Sequence, residues 1–169
     1  MNLLDMTPAQ QARDLLEKRL DAGFIGFAHE ADTIGLSKRK VADCRFVAVL
    51  TANHPAARKT KLTLSMLAED FFFTISDQSY PGASRFVASA CEQAGFRPKI
   101  LQAAERGYTI VGLVASNRGV AILPEPLKAM PHPGVVFRPL QDFPQTDIFL
   151  AWRKDNPSPI LRGLLDMFP

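Results

Sequence analysis

The chain has 169 residues, 47% hydrophobic and 22% charged, and its 20 Lys+Arg against 17 Asp+Glu give a net charge of +3. This is the composition of a folded protein long enough to bury a core, and it excludes a disordered or low-complexity chain. No apolar stretch reaches membrane-spanning length, and residues 1–5 lack the charged start of a signal peptide. We therefore expect a soluble, cytoplasmic protein that makes no membrane contact.

The first predicted element is a helix that begins at the sequence Thr7-Pro8-Ala9-Gln10. Thr7 and Gln10 have the spacing of a capping box, and proline suits the first helical position. The apolar spacing predicts an inward face made of Ala9, Ala12, Leu15 and Leu16. Leu3-Leu4 is predicted as a short strand before this helix, and residues 22–27 as an apolar strand of parallel type after it. This order predicts a β-α-β unit.

The stretch from residue 71 to residue 98 predicts a buried strand, a polar loop and an amphipathic helix. Residues 71–75 form a continuous apolar run, typical of a strand covered on both faces of a parallel sheet. The helix carries apolar residues at helical spacing from Ala83 to Ala94, and Gly95 is placed to end it. Because such a helix aims free N–H groups above the sheet, the loop at 76–81 is a candidate cradle for an anion or polar ligand.

The remaining apolar runs alternate between strand and helix patterns, which favours an α/β fold. Strands are predicted at 34–41, 45–50, 99–103, 120–124, 135–140 and 148–152. Helices are predicted at 62–68, 110–115 and 159–168, the last with Ser158 as its N-cap. We place two passages between subdomains, at residues 51–52 and 141–147.

Two basic clusters, at residues 38–40 and 58–61, account for much of the positive charge. A nucleic-acid surface is one interpretation of such clusters, but solvated edge-strand and loop residues explain them more simply. We assign no DNA contact to this chain.

Catalytic and metal chemistry find little support in the sequence. The histidines, His29, His54 and His132, are scattered through predicted loops without H-x-x-H or H-E-x-x-H spacing, and G-x-S-x-G is absent. Cys44 and Cys91 match no zinc or redox spacing and are predicted to be buried free thiols rather than a disulfide. We therefore expect no catalytic residues, no metal, no cofactor and no enzymatic activity.

Six short stretches occur in the order and spacing of a known family. They are Leu4–Gln11, Arg19–Phe24, Asn53–Ala57, Cys91–Pro98, Gly119–Pro124 and Ala151–Arg153. On these residues the chain resembles the effector-binding domain of LysR-type transcriptional regulators over essentially its whole length.

The resemblance implies a type 2 periplasmic-binding-protein-like fold, with two Rossmann-like subdomains joined by two crossover strands around a small molecule. Subdomain I is predicted to comprise 1–51 and 145–169, and subdomain II to comprise 52–144. The family's opening strand and helix, and its DNA-binding helix-turn-helix, have no counterpart in this sequence, so subdomain I is expected to be incomplete at its N-terminus. An uncovered central edge favours association, so we expect a homo-oligomer.

The resemblance also implies where a ligand binds, at helix starts that face each other across the two subdomains. The candidate ligand-binding residues are Thr7, Gln10, Gly26, Ser79, Tyr80, Pro81, Gly82, Arg106 and Thr109. For three of these residues a purely structural role is the alternative to ligand binding. Thr7 can be only a helix cap, Tyr80 only a packing residue and Arg106 only a solvated side chain.

Some relatives that respond to aromatic acids carry an arginine where this chain has Ile25-Gly26-Phe27. The missing guanidinium puts a carboxylate ligand in doubt. The effector class stays open, with organic acids and aromatic compounds as candidates.

Two functional hypotheses follow from these patterns. The first is a small-molecule sensing module of a LysR-type transcriptional regulator, which would reach DNA only through a helix-turn-helix domain absent from this sequence. The alternative is a stand-alone small-molecule binding protein of the same fold with no direct role in transcription.

Overall fold

The computed structural model describes residues 2–26 and 33–168. The internal contacts of the chain form two compact units. Unit 1 comprises Met1–Asp43, Gln78–Pro81 and Thr146–Pro169, and unit 2 comprises Cys44–Asp77 and Gly82–Gln145. The subdomain boundaries predicted from the sequence fall after residues 51 and 144, whereas the units divide after residues 43 and 145, and residues 78–81, predicted in subdomain II, belong to unit 1.

The chain contains both α-helices and β-sheets with parallel and antiparallel strands, which confirms the predicted α/β class. The strands are β1 (Ala22–Gly26), β2 (Leu36–Cys44), β3 (Phe46–Thr51), β4 (Phe71–Ile75), β5 (Lys99–Ala104), β6 (Val120–Pro124), β7 (Val135–Pro139) and β8 (Thr146–Arg153). The helices are α1 (Pro8–Leu16), α2 (Ala83–Gln93), α3 (Gly107–Ala115) and α4 (Pro159–Asp166), with short 3-10 helices at Pro55–Arg58, Leu64–Leu67 and Glu125–Ala129. No helix within residues 2–26 and 33–168 is both long and apolar enough to cross a membrane.

Unit 1 is built on a three-stranded sheet in the order β1-β8-β2. Its core, with α1 packed on the sheet, consists of Ala12, Leu15, Ile25, Leu36 and Ala151. β1 runs antiparallel to β8, with Phe24 opposite Leu150. The predicted parallel character of this strand is therefore wrong, because its partner comes from the far end of the chain and local sequence does not set its direction. Phe27, the last residue of the predicted strand, lies outside the described residues.

Two further expectations for the start of the chain are wrong. Leu3 and Leu4 form no strand, and their side chains are 85% and 64% exposed, so the predicted first β-α-β unit does not form. In α1, Leu16 is 44% exposed while Pro8 is buried, so the inward face is turned slightly from the predicted one. Leu3 and Leu4 form no strand because, without a partner strand, two apolar residues gain too little burial to offset the entropy lost on ordering.

Unit 2 is built on a mixed five-stranded sheet in the order β5-β4-β6-β3-β7. β4 pairs in parallel with β5 and β6, as predicted for residues 71–75, whereas β3 pairs antiparallel with β6 and β7. The core between this sheet and α3 consists of Val49, Phe73, Ile110, Val111, Val114, Ala121 and Leu123. The parallel strands fix the starts of α2 and α3 at one edge of the sheet.

The predicted helix ends in unit 2 are confirmed. After α2, the N–H of Phe96 donates to the carbonyl of Cys91 and that of Gly95 to the carbonyl of Glu92, both at 3.0 Å. Gly95 has φ 90, so this is a Schellman motif that requires the left-handed conformation. Asn117, with φ 60, takes the same conformation just after α3.

The basic cluster on β2 makes contacts within unit 1. Arg39 Nη1 donates to the carbonyl oxygens of Leu165 at 2.8 Å and Phe168 at 2.9 Å, at the C-terminal end of α4, where positive charge is favoured. Lys40 pairs with Asp147 at 2.7 Å, and this hydrogen bond raises the pKa of the lysine. These contacts favour the structural interpretation of the cluster over a nucleic-acid surface.

The space around two glycines predicts opposite effects when each is replaced by alanine. A Cβ on Gly119 would lie 2.6 Å from the backbone oxygen of Phe71, whereas a Cβ on Gly112, inside α3, would meet no atom within 4 Å. We expect Gly119→Ala to lower the free energy of unfolding by about 1–3 kcal/mol and Gly112→Ala to raise it by about 0.5–1 kcal/mol. Urea unfolding followed by circular dichroism measures both, and equal effects of the two variants would contradict the described packing.

Candidate functional site

The start of α1 forms the predicted capping box. Thr7 Oγ1 accepts a hydrogen bond from the Gln10 N–H at 3.3 Å, and the Thr7 N–H donates to Gln10 Oε1 at 3.0 Å. The Thr7 hydroxyl also donates to Gln10 Oε1 at 3.2 Å. The capping role of these two residues is confirmed, and Thr7 is buried while it performs that role.

The loop after β4 reaches the same helix start. The carbonyl oxygen of Ser79 accepts from the Ala9 N–H at 3.2 Å, and Ser79 is buried. Both residues belong to unit 1. The structure therefore brings Thr7, Gln10 and Ser79, which the sequence analysis selected from segments far apart in the chain, into one hydrogen-bonded group.

This group uses the donors that open α1. Pro8 has no N–H, the Ala9 N–H is bound by Ser79, and the Gln10 N–H is bound by Thr7. An anion bound at this helix start would have to displace a protein acceptor that is already in place. The helix start is therefore better suited to exchange hydrogen bonds with a polar ligand than to capture a free anion.

A carboxylate also stands at the start of α2, where the sequence predicted an open cradle. Asp77 Oδ1 accepts from the Ser84 N–H at 3.0 Å, and its second oxygen accepts from the Ser84 hydroxyl. Gly82, the N-cap residue, has φ 83 and carries no side chain to do this. Asp77 was not among the predicted site residues, although an aspartate shortly before a helix is a known signal for capping.

Three other candidates, Gly26, Tyr80 and Pro81, also belong to unit 1. Gly26 ends β1 opposite Ile148, and a side chain built at Gly26 would meet no atom of residues 2–26 and 33–168 within 4 Å. Tyr80 and Pro81, which follow Ser79, are partly buried.

The remaining candidates belong to unit 2. Ile75 of β4 lies opposite Ala104 of β5 in a parallel pair, so the chain leaves both strands at the same edge. Gly82 opens α2 there, and Arg106 is the N-cap residue of α3 without a side-chain capping bond. Arg106 is partly buried and Thr109 is exposed.

His54 is the histidine with the most contacts among the described residues, and it is placed for structure rather than catalysis. Its Nδ1 accepts from the Ala56 N–H at 3.1 Å, which leaves the ring proton on Nε2, where it donates to Asp70 at 3.1 Å. With both nitrogens engaged, the ring has no free lone pair to act as a general base. His29 lies outside the described residues, and His132 is exposed.

The cysteines and acidic residues show no arrangement for metal or thiol chemistry. Within residues 2–26 and 33–168, no group of at least three His, Cys, Asp or Glu side chains is placed to hold a metal ion. Cys44 and Cys91 are buried free thiols, as predicted. Burial raises the pKa of the Cys91 thiol to about 11, which disfavours the reactive thiolate.

Comparison with known proteins points to one family. A family model described as LysR substrate binding domain matches residues 1–169. The HTH-type transcriptional regulator AlsR of Bacillus subtilis (strain 168) is 25% identical over 166 residues, which cover 98% of this chain and 54% of AlsR. The chain spans about half the length of the curated relatives it matches.

Solved structures show the same fold. The effector binding domain of BenM with its effector benzoate superimposes with a TM-score of 0.80 at 22% identity, over 99% of this chain and 76% of that one. The effector binding domain of QuiR in complex with shikimate gives a TM-score of 0.81 at 22% identity, over 96% of this chain and 76% of that one. At these identities the likeness shows the fold, and it confirms the predicted type 2 periplasmic-binding-protein-like class.

The capping box predicts the behaviour of two substitutions at one position. Thr7→Ala removes the acceptor for the Gln10 N–H and should lower the free energy of unfolding by about 1 kcal/mol. Thr7→Ser keeps the hydroxyl and should recover most of that loss. Chemical denaturation of the three proteins measures the difference, and a Thr7→Ser variant as unstable as Thr7→Ala would show that the methyl group, not the cap, stabilises this site.

The buried thiols predict how the protein reacts with a thiol reagent and with alkali. At about pH 8 neither Cys44 nor Cys91 should react with a colorimetric disulfide reagent until the chain is unfolded, when both should react. Because folding raises the pKa of Cys91 from 9.0 to about 11, its contribution to stability is present below pH 9.0 and is lost as the pH rises towards 11. Cys91→Ala should lack this part of the alkaline loss, and rapid labelling of the native protein would argue against the described burial.

Proposed function

The chain belongs to the LysR substrate binding domain family, and from this we propose that it is the effector-sensing part of a LysR-type transcriptional regulator. In this proposal a small molecule binds at the start of α1, beside the capping box of Thr7 and Gln10 and the loop residue Ser79. DNA binding is assigned to a helix-turn-helix domain outside these 169 residues, because relatives described as HTH-type regulators are about twice as long.

One observation carries the proposed site. The hydrogen bond from the Ala9 N–H to the Ser79 carbonyl, at 3.2 Å, joins the start of α1 to the loop after β4. Polar groups from two distant segments therefore converge around a helix start, and a few convergent polar groups are typical of small-molecule sites. Gly26 belongs to the same unit, and none of the described atoms lies within 4 Å of its Cβ position, which supports room for a ligand there.

Protein acceptors already bind N–H groups at the starts of α1 and α2, and this limits which chemical groups of an effector can bind there. BenM binds benzoate and QuiR binds shikimate in their solved structures, so ring compounds and organic acids are the reference classes. In this chain the donors of α1 are taken by Ser79 and Thr7, and the carboxylate of Asp77 already stands at the start of α2. We therefore favour a ring compound that forms hydrogen bonds through hydroxyl or carbonyl groups over one held by its carboxylate, with Tyr80 available to cover the ring.

The remaining parts of the proposal concern the whole regulator. It is a homo-oligomer in the cytoplasm, where it responds to the effector by changing how it engages its promoter, and this chain performs no chemistry on the ligand. The support is the family itself, whose members among the relatives are transcriptional regulators.

A thermal-shift screen tests the proposal. Benzoate, shikimate and sugars are added singly to the chain, and a true effector at roughly 100 times its Kd should add about 2.7 kcal/mol to the free energy of unfolding. Tyr80→Phe serves as the matched control for Tyr80→Ala, because it keeps the ring and removes only the hydroxyl.

The variants separate binding from stability. Thr7→Ala and Tyr80→Ala should reduce the ligand-induced shift by more than they reduce the stability of the unliganded protein. If no member of the screen stabilises the chain, or if the variants lower stability without changing the shift, the proposed effector site is wrong.

A further inference from the structure

A second polar pocket lies within unit 2, away from the proposed effector site. It has a volume of about 210 Å³ and opens where β3 ends and where β4 and β6 begin. Its lining includes Thr51, His54, Asp70, Asn117, Arg118 and Gly119. The volume is below the ~300–1,000 Å³ of drug-sized sites, so the pocket suits a molecule of only a few heavy atoms.

The position of this pocket on β4 separates it from the loop that follows the same strand. Phe71, the first residue of β4, lines the pocket, whereas the loop leaves the strand after Ile75. A strand of this length spans roughly 15 Å. A ligand in the pocket would therefore not touch the α2 and α3 starts at the other end of the sheet.

The lining of the pocket includes a carboxylate that is held in place by a hydrogen bond. Asp70 accepts from His54 Nε2 at 3.1 Å, and His54 is itself held by the Ala56 N–H at its other ring nitrogen. A histidine fixed in this way orients the carboxylate and leaves its outward lone pairs available. Glu69, beside it, adds a second negative charge, which is partly compensated by an ion pair with Lys99 at 2.8 Å.

The lining also includes hydrogen-bond donors. Asn117 stands in the left-handed conformation, and its Oδ1 accepts from the Thr51 hydroxyl at 2.9 Å, so its amide nitrogen is left to donate. Among the described residues, no acceptor pairs with the guanidinium of Arg118. Gly119 follows Arg118 in the lining, and a side chain at this position would collide with the backbone of Phe71.

We propose that this pocket binds a small zwitterion of the α-amino-acid type. The ammonium group of the ligand pairs with Asp70, and its carboxylate pairs with Arg118 and the Asn117 amide. A ligand with only one charge would leave either Asp70 or Arg118 without a partner of opposite charge, and that mismatch is the physical basis of selectivity here. The proposal does not rest on the effector role of unit 1.

Amide NMR of the ¹⁵N-labelled chain tests the site with L-alanine as the probe. L-Alanine at up to ~10 mM, enough to fill a millimolar site, should shift the amide signals of Thr51, Asn117 and Gly119. Ethylamine and propionate carry the two charges of L-alanine separately, and each should bind at least about tenfold more weakly. The absence of shifts, shifts confined to Ala9 and Ser79, or equal binding of propionate would each overturn the proposal.

Substitutions of Asp70 and Arg118 complete the test. Asp70→Asn, which keeps an acceptor for His54, and Arg118→Gln should each weaken L-alanine binding by at least about tenfold. Arg97→Gln removes an exposed guanidinium of the same unit outside the pocket and should leave binding unchanged. The amide spectrum shows whether each variant is folded. Since Arg118 is exposed, its variant decides the test if Asp70→Asn does not fold, and unchanged affinity in Arg118→Gln would refute the site.

Discussion

The backbone N–H groups that open the helices must find acceptors, because an unpaired buried donor costs about 1–3 kcal/mol. α1 meets this requirement with the Thr7 hydroxyl and the Ser79 carbonyl, and α2 meets it with the Asp77 carboxylate. Ser79 and Asp77 lie in the one short loop after β4. Two acceptors that lie two positions apart in the sequence therefore serve the starts of two different helices.

This arrangement links stability to the proposed sensing role. A ligand that binds at the start of α1 exchanges hydrogen bonds with groups that already stabilise the fold, so its polar groups must replace what they displace. In the pocket of unit 2 the situation is reversed, because among the described residues the Arg118 guanidinium and the Asn117 amide nitrogen have no acceptor, while Asp70 is held by His54. The two proposed sites thus differ in whether their polar groups are already satisfied.

The candidate site was predictable where the signal is local. The capping box of Thr7 and Gln10, and the loop containing Ser79, follow from residue types at fixed short spacings, and the structure brings them together. Asp77 was missed because its acceptor role depends on how the loop folds back to Ser84, seven positions along the chain. The contact of His54 with Asp70 was missed for the same reason, since neither residue marks the other in the sequence.

The sequence by itself determined the α/β class, the extents of β4 and α2, the stops at Gly95 and Asn117, and the family, because these depend on periodicity, backbone propensity and short motifs. Only the tertiary structure decided that β1 pairs antiparallel with β8, that Leu3 and Leu4 form no strand, and that Leu16 faces outward. It also decided which acceptor serves each helix start. Strand direction, burial and long-range hydrogen bonds are set by partners distant in the chain, and a local pattern of residues carries no information about which partner arrives.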